Sequence, residues 1–165
     1  MTTVFALFSC NTVCKDDQLT LQKQPYYGNE LRIDGYYYLI YGNPQKASIY
    51  FFYRDGTVID GGVYDYDKIA EYESIINTTL INKIKKTKYS YGLFNIQNDW
   101  IKFECWSPSE PPLKAYAREG EILSDSTFHI TKLYRSDGTE MSVRDEIYHF
   151  KQFSPKPDST NVYIK

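Results

Sequence analysis

The stretch ASIYFFYRDGTVIDGGVY, residues 47–64, constrains this chain more than any other. Two runs rich in β-branched and aromatic residues flank Asp55-Gly56. An Asp-Gly pair between such runs predicts a tight hairpin, because its turn needs positive φ and glycine takes that conformation without steric penalty. Gly61-Gly62 interrupts the second run and predicts a bend or bulge there.

The surrounding segments carry the same signal. LRIDGYYYLIY (31–41) is a strand closed by Gly42-Asn43-Pro44. SYGLFNIQ and WIKFECW flank a turn at Asn98-Asp99. In the second of these, Ile101, Phe103 and Cys105 alternate with Lys102 and Glu104, so one face should be packed and the other wet. After the proline-rich loop SPSEPP, LKAYAR and EILS read as a small hairpin turning at Glu119-Gly120. STFHITKLYR and EIYHFKQF read as the last hairpin, turning around Ser136-Asp137-Gly138. One helix interrupts. In DYDKIAEYESIINTTLINKIKK, Ile69, Tyr72, Ile76, Leu80 and Ile84 recur at steps of three and four, which places them on one face. Asp65 or Asp67 is placed to cap its first turn, and Lys83, Lys85 and Lys86 complement the dipole at its end.

This makes about nine strands in hairpin order, with the helix after the third. No alternation of strands and helices appears, which disfavours a doubly wound parallel sheet. A long meander must curl, since flat sheets leave unpaired edges. The expected fold is therefore mainly β, an antiparallel meander curled into a barrel of about 8–10 strands with one inserted α-helix. An open, strongly curved sheet with the helix on one face is the other arrangement. With Gly35-Tyr36-Tyr37 opening its first strand, the region 31–153 resembles lipocalin-like domains, which open with a glycine and an aromatic. Tyr37 stands where that motif has Trp, and the helix comes early rather than late.

The N-terminus predicts an address. Residues 1–9 end in a short apolar run, Val4-Phe5-Ala6-Leu7-Phe8, and read as the remnant of a signal peptide. Leu7-Phe8-Ser9-Cys10 resembles a bacterial lipobox: an aliphatic residue, a small residue, then the cysteine. The resemblance implies cleavage before Cys10, diacylglycerol on its sulfur and acylation of the new amino group. Several acyl chains make a stable anchor, at ~0.8 kcal/mol per buried CH₂. The other reading is an apolar terminus of a cytosolic protein, with Cys10 an ordinary thiol. Residues 10–30 are mostly polar, carry Pro25 and Gly28, and read as a flexible tether. Within it, Lys15-Asp16-Asp17 resembles the surface-export signal of Bacteroidota-type lipoproteins. The implied location is the bacterial outer membrane, facing the periplasm or the cell surface. Residues 154–165 read as a loose tail with a short strand at Val162–Ile164.

Composition narrows the function. Net charge is −2 and pI about 5.7, which argues against bulk attraction to nucleic acid. No motif for a catalytic serine, a zinc protease, a phosphate loop or a calcium loop is present. Asp55, Asp60, Asp65 and Asp67 are assigned turn and cap duties, and no cofactor or metal is expected. His129 and His149, on the two strands of the last hairpin, are expected across from each other on one face; two imidazoles alone are too few for a metal site. Cys105 is expected as a buried small hydrophobe. The 17 tyrosines are the outlier. Tyr36, Tyr38, Tyr50 and Tyr53, with Trp100 and Trp106, are the candidates for lining a half-wet pocket; core packing is their other use. The expected function is non-enzymatic: binding a small apolar or aromatic ligand, or an envelope partner. A filled barrel acting as an assembly scaffold is the rival, and a carboxylate-dependent hydrolase the third class.

Overall fold

Eight strands follow one another in chain order and close on themselves. They are β1 (Gly35–Tyr41), β2 (Lys46–Phe52), β3 (Thr57–Asp65), β4 (Tyr91–Gln97), β5 (Trp100–Trp106), β6 (Ala115–Ser124), β7 (Thr127–Arg135) and β8 (Ser142–Gln152). Each pairs antiparallel with the next, and β8 pairs with β1, for example Tyr37 with Phe150. This computed structural model describes residues 15–109 and 111–165. The signal-peptide and lipobox residues, Cys10 among them, lie outside the described residues, as does Cys14.

The closed antiparallel barrel with a helical insertion after β3 is the expected lipocalin-like architecture. The Asp-Gly hairpin forms as expected: Gly56 sits at φ +85°, and Asp55 accepts hydrogen bonds from the Thr57 amide and hydroxyl, both at 3.0 Å. A Cβ at Gly56 would stand 2.2 Å from the Gln24 carbonyl oxygen, so the turn is also a docking point for the N-terminal segment. The Gly61-Gly62 bulge is present too. Ile49 pairs with Gly62 and Tyr50 with Asp60, which leaves Gly61 as the extra residue.

One expected hairpin is absent. Residues 115–124 form the single long strand β6, not two strands turning at Glu119-Gly120. Glu119 faces Lys132 and Gly120 faces Ile130, so the register shifts here and Thr131 of β7 is the extra residue of a bulge. Gly120 is there because its neighbour is close: a Cβ would lie 1.8 Å from the His129 carbonyl oxygen. That is why eight strands close the barrel rather than nine.

The helical insertion has five pieces: a 3₁₀ turn (Tyr66–Lys68), α1 (Ile69–Ile75), a π-helical turn (Ile76–Leu80), α2 (Ile81–Ile84) and a second 3₁₀ turn (Lys88–Ser90). The five predicted face residues all pack in one cluster against the outside of the barrel, with Ile49, Phe51 and Ile59. Asp65 occupies the first cap position without a side-chain cap bond; it pairs instead with Lys46 and Lys68. Lys85 pairs with Asp158 at 2.6 Å.

The chain thus has two apolar clusters. Inside the barrel, Tyr37, Phe52, Phe94, Phe103 and Phe128 interlock with ring centroids 5.0–6.2 Å apart, edge-to-face except for the tilted Tyr37–Phe128 pair. Outside, the helical insertion and both chain ends cover one flank. Strand β2 is buried on both faces, which explains its nearly unbroken apolar run.

Among the described residues, neither 15–30 nor 154–165 is loose. Among residues 15–30, expected as a tether, Asp17 forms a two-bond pair with Arg135, at 2.8 Å each, and its carbonyl accepts from Trp106 Nε1. Asp16 meets Lys88 at 2.8 Å. The two acids of the supposed export signal are therefore tied to the barrel wall, and each carboxyl is held below the usual range, Asp16 chiefly by Lys88 and Asp17 chiefly by Arg135. Further on, Tyr26 and Leu31 are buried in the inner cluster and stop one end of the barrel. Residues 154–165, expected as a loose tail, form no strand. Instead Tyr53 donates to the Pro157 carbonyl at 2.6 Å, Lys156 Nζ donates to the carbonyls of Ile33 and Phe52, and Ile164 is buried in the outer cluster.

Candidate functional site

One end of the barrel is filled with aromatic rings and stopped by Tyr26 and Leu31. The opposite end is where the β1–β2 and β7–β8 turns lie, and it holds space. A cavity of about 500 Å³ is lined by residues including Leu39, Tyr50, Asp60, Arg118, Leu133 and Tyr148. An adjoining cavity of about 350 Å³ shares Asp60, Arg118, Leu133 and Arg144 with it and adds Cys105, Trp106 and Tyr116.

Strand alternation places each inward side chain. Tyr50 and Phe52 point in from β2, so their partners Asp60 and Val58 point in from β3. The Gly61 bulge then resets the phase and lets Val63 line the cavity as well. Phe103 and Cys105 point in from β5, so Arg118 and Tyr116, opposite them on β6, point in too.

Arg118 is the unusual member. Its guanidinium carbon lies 5.7 Å from the Tyr50 ring centre and 5.9 Å from that of Phe103. Those π faces favour the cation, but weakly at this range. Its Nε–H is buried and has no hydrogen-bond partner among the described residues. Asp60 acts on it through space, without a hydrogen bond between them. Asp60 is partly buried, and its Oδ1 accepts the Gly62 amide at 2.8 Å. Burial pushes its carboxyl above the usual range; the Gly62 amide and Arg118 pull the other way and do not restore it. Nearer the rim, Glu146 accepts from the Tyr148 hydroxyl at 3.4 Å and faces Arg144 at 3.9 Å. The floor of the cavity is thus a guanidinium with an unused donor and a carboxyl biased toward its proton, walled by tyrosine and leucine.

Of the six aromatic residues expected to line a pocket, the structure brings two here. Tyr50 is in the wall, packed on Phe103 and Tyr148 with centroids 5.0 and 5.8 Å away. Trp106 reaches the smaller cavity from the outer face. The rest do not belong. Tyr36 faces outward and donates to Glu73 at 2.7 Å. Tyr38 also faces outward, toward Tyr66. Tyr53 clasps the C-terminal segment, and Trp100 is half-exposed at the filled end. The reason is the period of two: if Tyr37 and Leu39 are inside, Tyr36 and Tyr38 are outside.

Sequence reasoning missed Asp60 and Arg118. Asp60 does bond the backbone two residues on, as Asp55 does in its turn, but it also lines the cavity, which that local duty conceals. Arg118 was hidden by the supposed hairpin; read as one strand, Tyr116 and Arg118 fall on the same face. The histidines share a face of the β7–β8 pair but do not oppose each other: His129 pairs with Ile147 and His149 with Thr127. His129 Nε2 lies 2.8 Å from Asp145. Among the described residues no cluster of three or more potential metal ligands occurs. Cys105 is buried as expected, and burial pushes its thiol up. Glu104, expected on the wet face of β5, is fully buried beneath Thr20 and Leu21, whose amides donate to it at 2.6 and 3.0 Å.

Fold and site together define a closed eight-stranded antiparallel barrel with one filled end and one hollow end, the hollow end lined by the partly buried Arg118. The chain matches no protein-family model, no curated protein and no solved structure.

Proposed function

We propose that this protein binds a small apolar or aromatic molecule in the hollow end of its barrel, while acyl chains on Cys10 hold it to the bacterial outer membrane. The observation that carries the first half is the cavity of about 500 Å³, which lies in the size range of small-molecule sites. A scaffold protein has no use for such a space, and filling it would add stability. Leu39, Leu133 and Tyr50 supply apolar wall, and the tyrosine hydroxyls and charged floor would fix orientation. The anchoring half is supported by the lipobox-like sequence before Cys10.

Each half has its own test. The neutral dye N-phenyl-1-naphthylamine should brighten on entering the cavity, and Leu133→Trp, which fills it, should abolish the signal while preserving the circular dichroism spectrum. Equal brightening by wild type and the filled variant removes the cavity reading. For the anchor, intact mass of detergent-extracted protein should show acyl groups, and Cys10→Ala should move the protein to the soluble fraction. Retention of that variant in the membrane removes the anchor.

One observation favours a hydrolase as the second reading. Asp60, biased toward its protonated form, and Glu146 line the same cavity, and a pair of carboxyls is what glycoside hydrolysis uses. Against it, Glu146 is already engaged by Tyr148 and Arg144. Release of reducing sugar from a glycan panel, lost in both Asp60→Asn and Glu146→Gln, would establish this reading instead.

A further inference from the structure

Withdrawing a guanidinium donor from water is costly unless that donor is used. Most charged groups of this molecule pair at the surface, where solvent helps; Arg118 sits at the floor of a cavity with a sequestered Nε–H that no described residue accepts. Lysine would be the simpler choice if charge alone were needed. Arginine presents a rigid planar fork, which matches the two oxygens of a carboxylate in a bidentate pair. The walls around the fork are apolar and aromatic: Leu39, Leu133, Tyr50 and Tyr148.

We propose that Arg118 anchors the carboxylate of a small amphiphilic acid whose apolar body lies along these walls, and that Asp60 takes up a proton when the acid binds. This deepens the cavity reading above and rests on it. The second part follows from electrostatics. Asp60 and Arg118 share both cavities and interact through space. Before binding, Asp60 is the acid that balances Arg118. A bound carboxylate takes over that role and repels the Asp60 charge in a region of low dielectric, so the proton moves onto Asp60.

The other groups around Asp60 do not supply this behaviour. From β6 comes Arg118; from β2, β5 and β8 come Tyr50, Cys105 and Tyr148; from β3 and α1 come Tyr64 and Tyr72. Burial pushes all of these tyrosines and the thiol upward, away from neutral pH. At the rim, Arg144 and Glu146 form their own pair.

Titration calorimetry of the full chain with octanoate, 1-octanol and octylamine tests the proposal. Octanoate should bind at least tenfold tighter than 1-octanol, and octylamine weakest. Arg118→Gln should remove the preference for octanoate and leave 1-octanol unchanged; Arg118→Lys, which keeps the charge without the fork, should retain part of it. Octanoate affinity should fall as pH rises from 5 to 8, with proton uptake seen as a buffer-dependent heat. Asp60→Asn should flatten that slope and tighten binding at pH 8. If 1-octanol binds as well as octanoate, or Arg118→Gln binds octanoate normally, the anchor is overturned while the cavity reading stands. If octylamine binds best, the site selects cations at Asp60 and the proposal fails. If Asp60→Asn keeps the wild-type slope, the proton is taken up elsewhere and the second part fails. If none of the three probes binds, the proposal and the cavity reading fall together.

Discussion

Single residues decide what the hollow end can do, and Asp60 is the clearest case. Its carboxyl is held above the ordinary 3.8 by burial, even with Arg118 and the Gly62 amide opposing. A group that holds its proton more tightly when folded contributes stability that is full below its unfolded pKa and lost as pH rises through its folded pKa. Asp60 therefore weakens the fold at neutral pH. Asp60→Asn keeps an acceptor for the Gly62 amide and removes the charge. Urea unfolding should show the variant equal to wild type near pH 3 and more stable at pH 7, by roughly 1 kcal/mol or more. A variant less stable than wild type at pH 7 would mean that Asp60 is present chiefly as the counter-charge of Arg118. Gly120, opposite the bulge at Thr131, works at the same scale. With no room for a Cβ against His129, it lets β6 cross the barrel wall in one piece, which is what puts Arg118 in the interior.

At the scale of elements, both chain ends act as straps. The N-terminal segment lies over β5 and β6, held by Asp17 to Arg135 and by the buried Glu104 to the Thr20 and Leu21 amides. Glu104 also faces Lys102 at 3.5 Å. Glu104→Ala would leave two amides without their acceptor; the expected loss is about 1–3 kcal/mol in urea unfolding. The same change should expose residues 15–30 to limited proteolysis well below the unfolding midpoint, with the barrel itself resistant. Uniform resistance along the chain would show that the strap holds without Glu104. The C-terminal segment is clamped by Lys156, whose ammonium sits 4.0 Å over the Tyr53 ring and is pushed down to about 8, chiefly by burial. A strap that crosses the outer cluster also covers aromatic residues of the outward faces, which is why Tyr36 is buried without lining the barrel.

For the whole molecule, stability and binding are divided between the two ends of one barrel. Rings interlock at the filled end, while the hollow end is left under-packed. Phe52→Ala, at the centre of the filled end, should cost about 3–5 kcal/mol. Leu39→Ala, at the cavity wall, already lacks neighbours on one side and should cost under about 2 kcal/mol, because little packing is lost there. Thermal unfolding of the two variants side by side checks this. Similar losses would show that the hollow end is packed as tightly as the other.

The sequence by itself determined the local events: the Asp-Gly turn, the Gly61 bulge, the amphipathic face from Ile69 to Ile84, and the order of hairpins that forces an antiparallel meander to close. These are readable because turn geometry and hydrophobic period act over a few residues, with no knowledge of distant neighbours. The tertiary structure alone decided which face of each strand is inside, since a period of two looks the same from either side until the barrel closes and one face is enclosed. It alone turned an apparent tether and a loose tail into straps, because polar residues such as Asp17 and Lys156 look like solvated chain until Arg135 and the Phe52 carbonyl are brought to meet them. And it alone made a site of Asp60 and Arg118, which lie far apart in the chain and become neighbours only when β3 and β6 face each other across the interior.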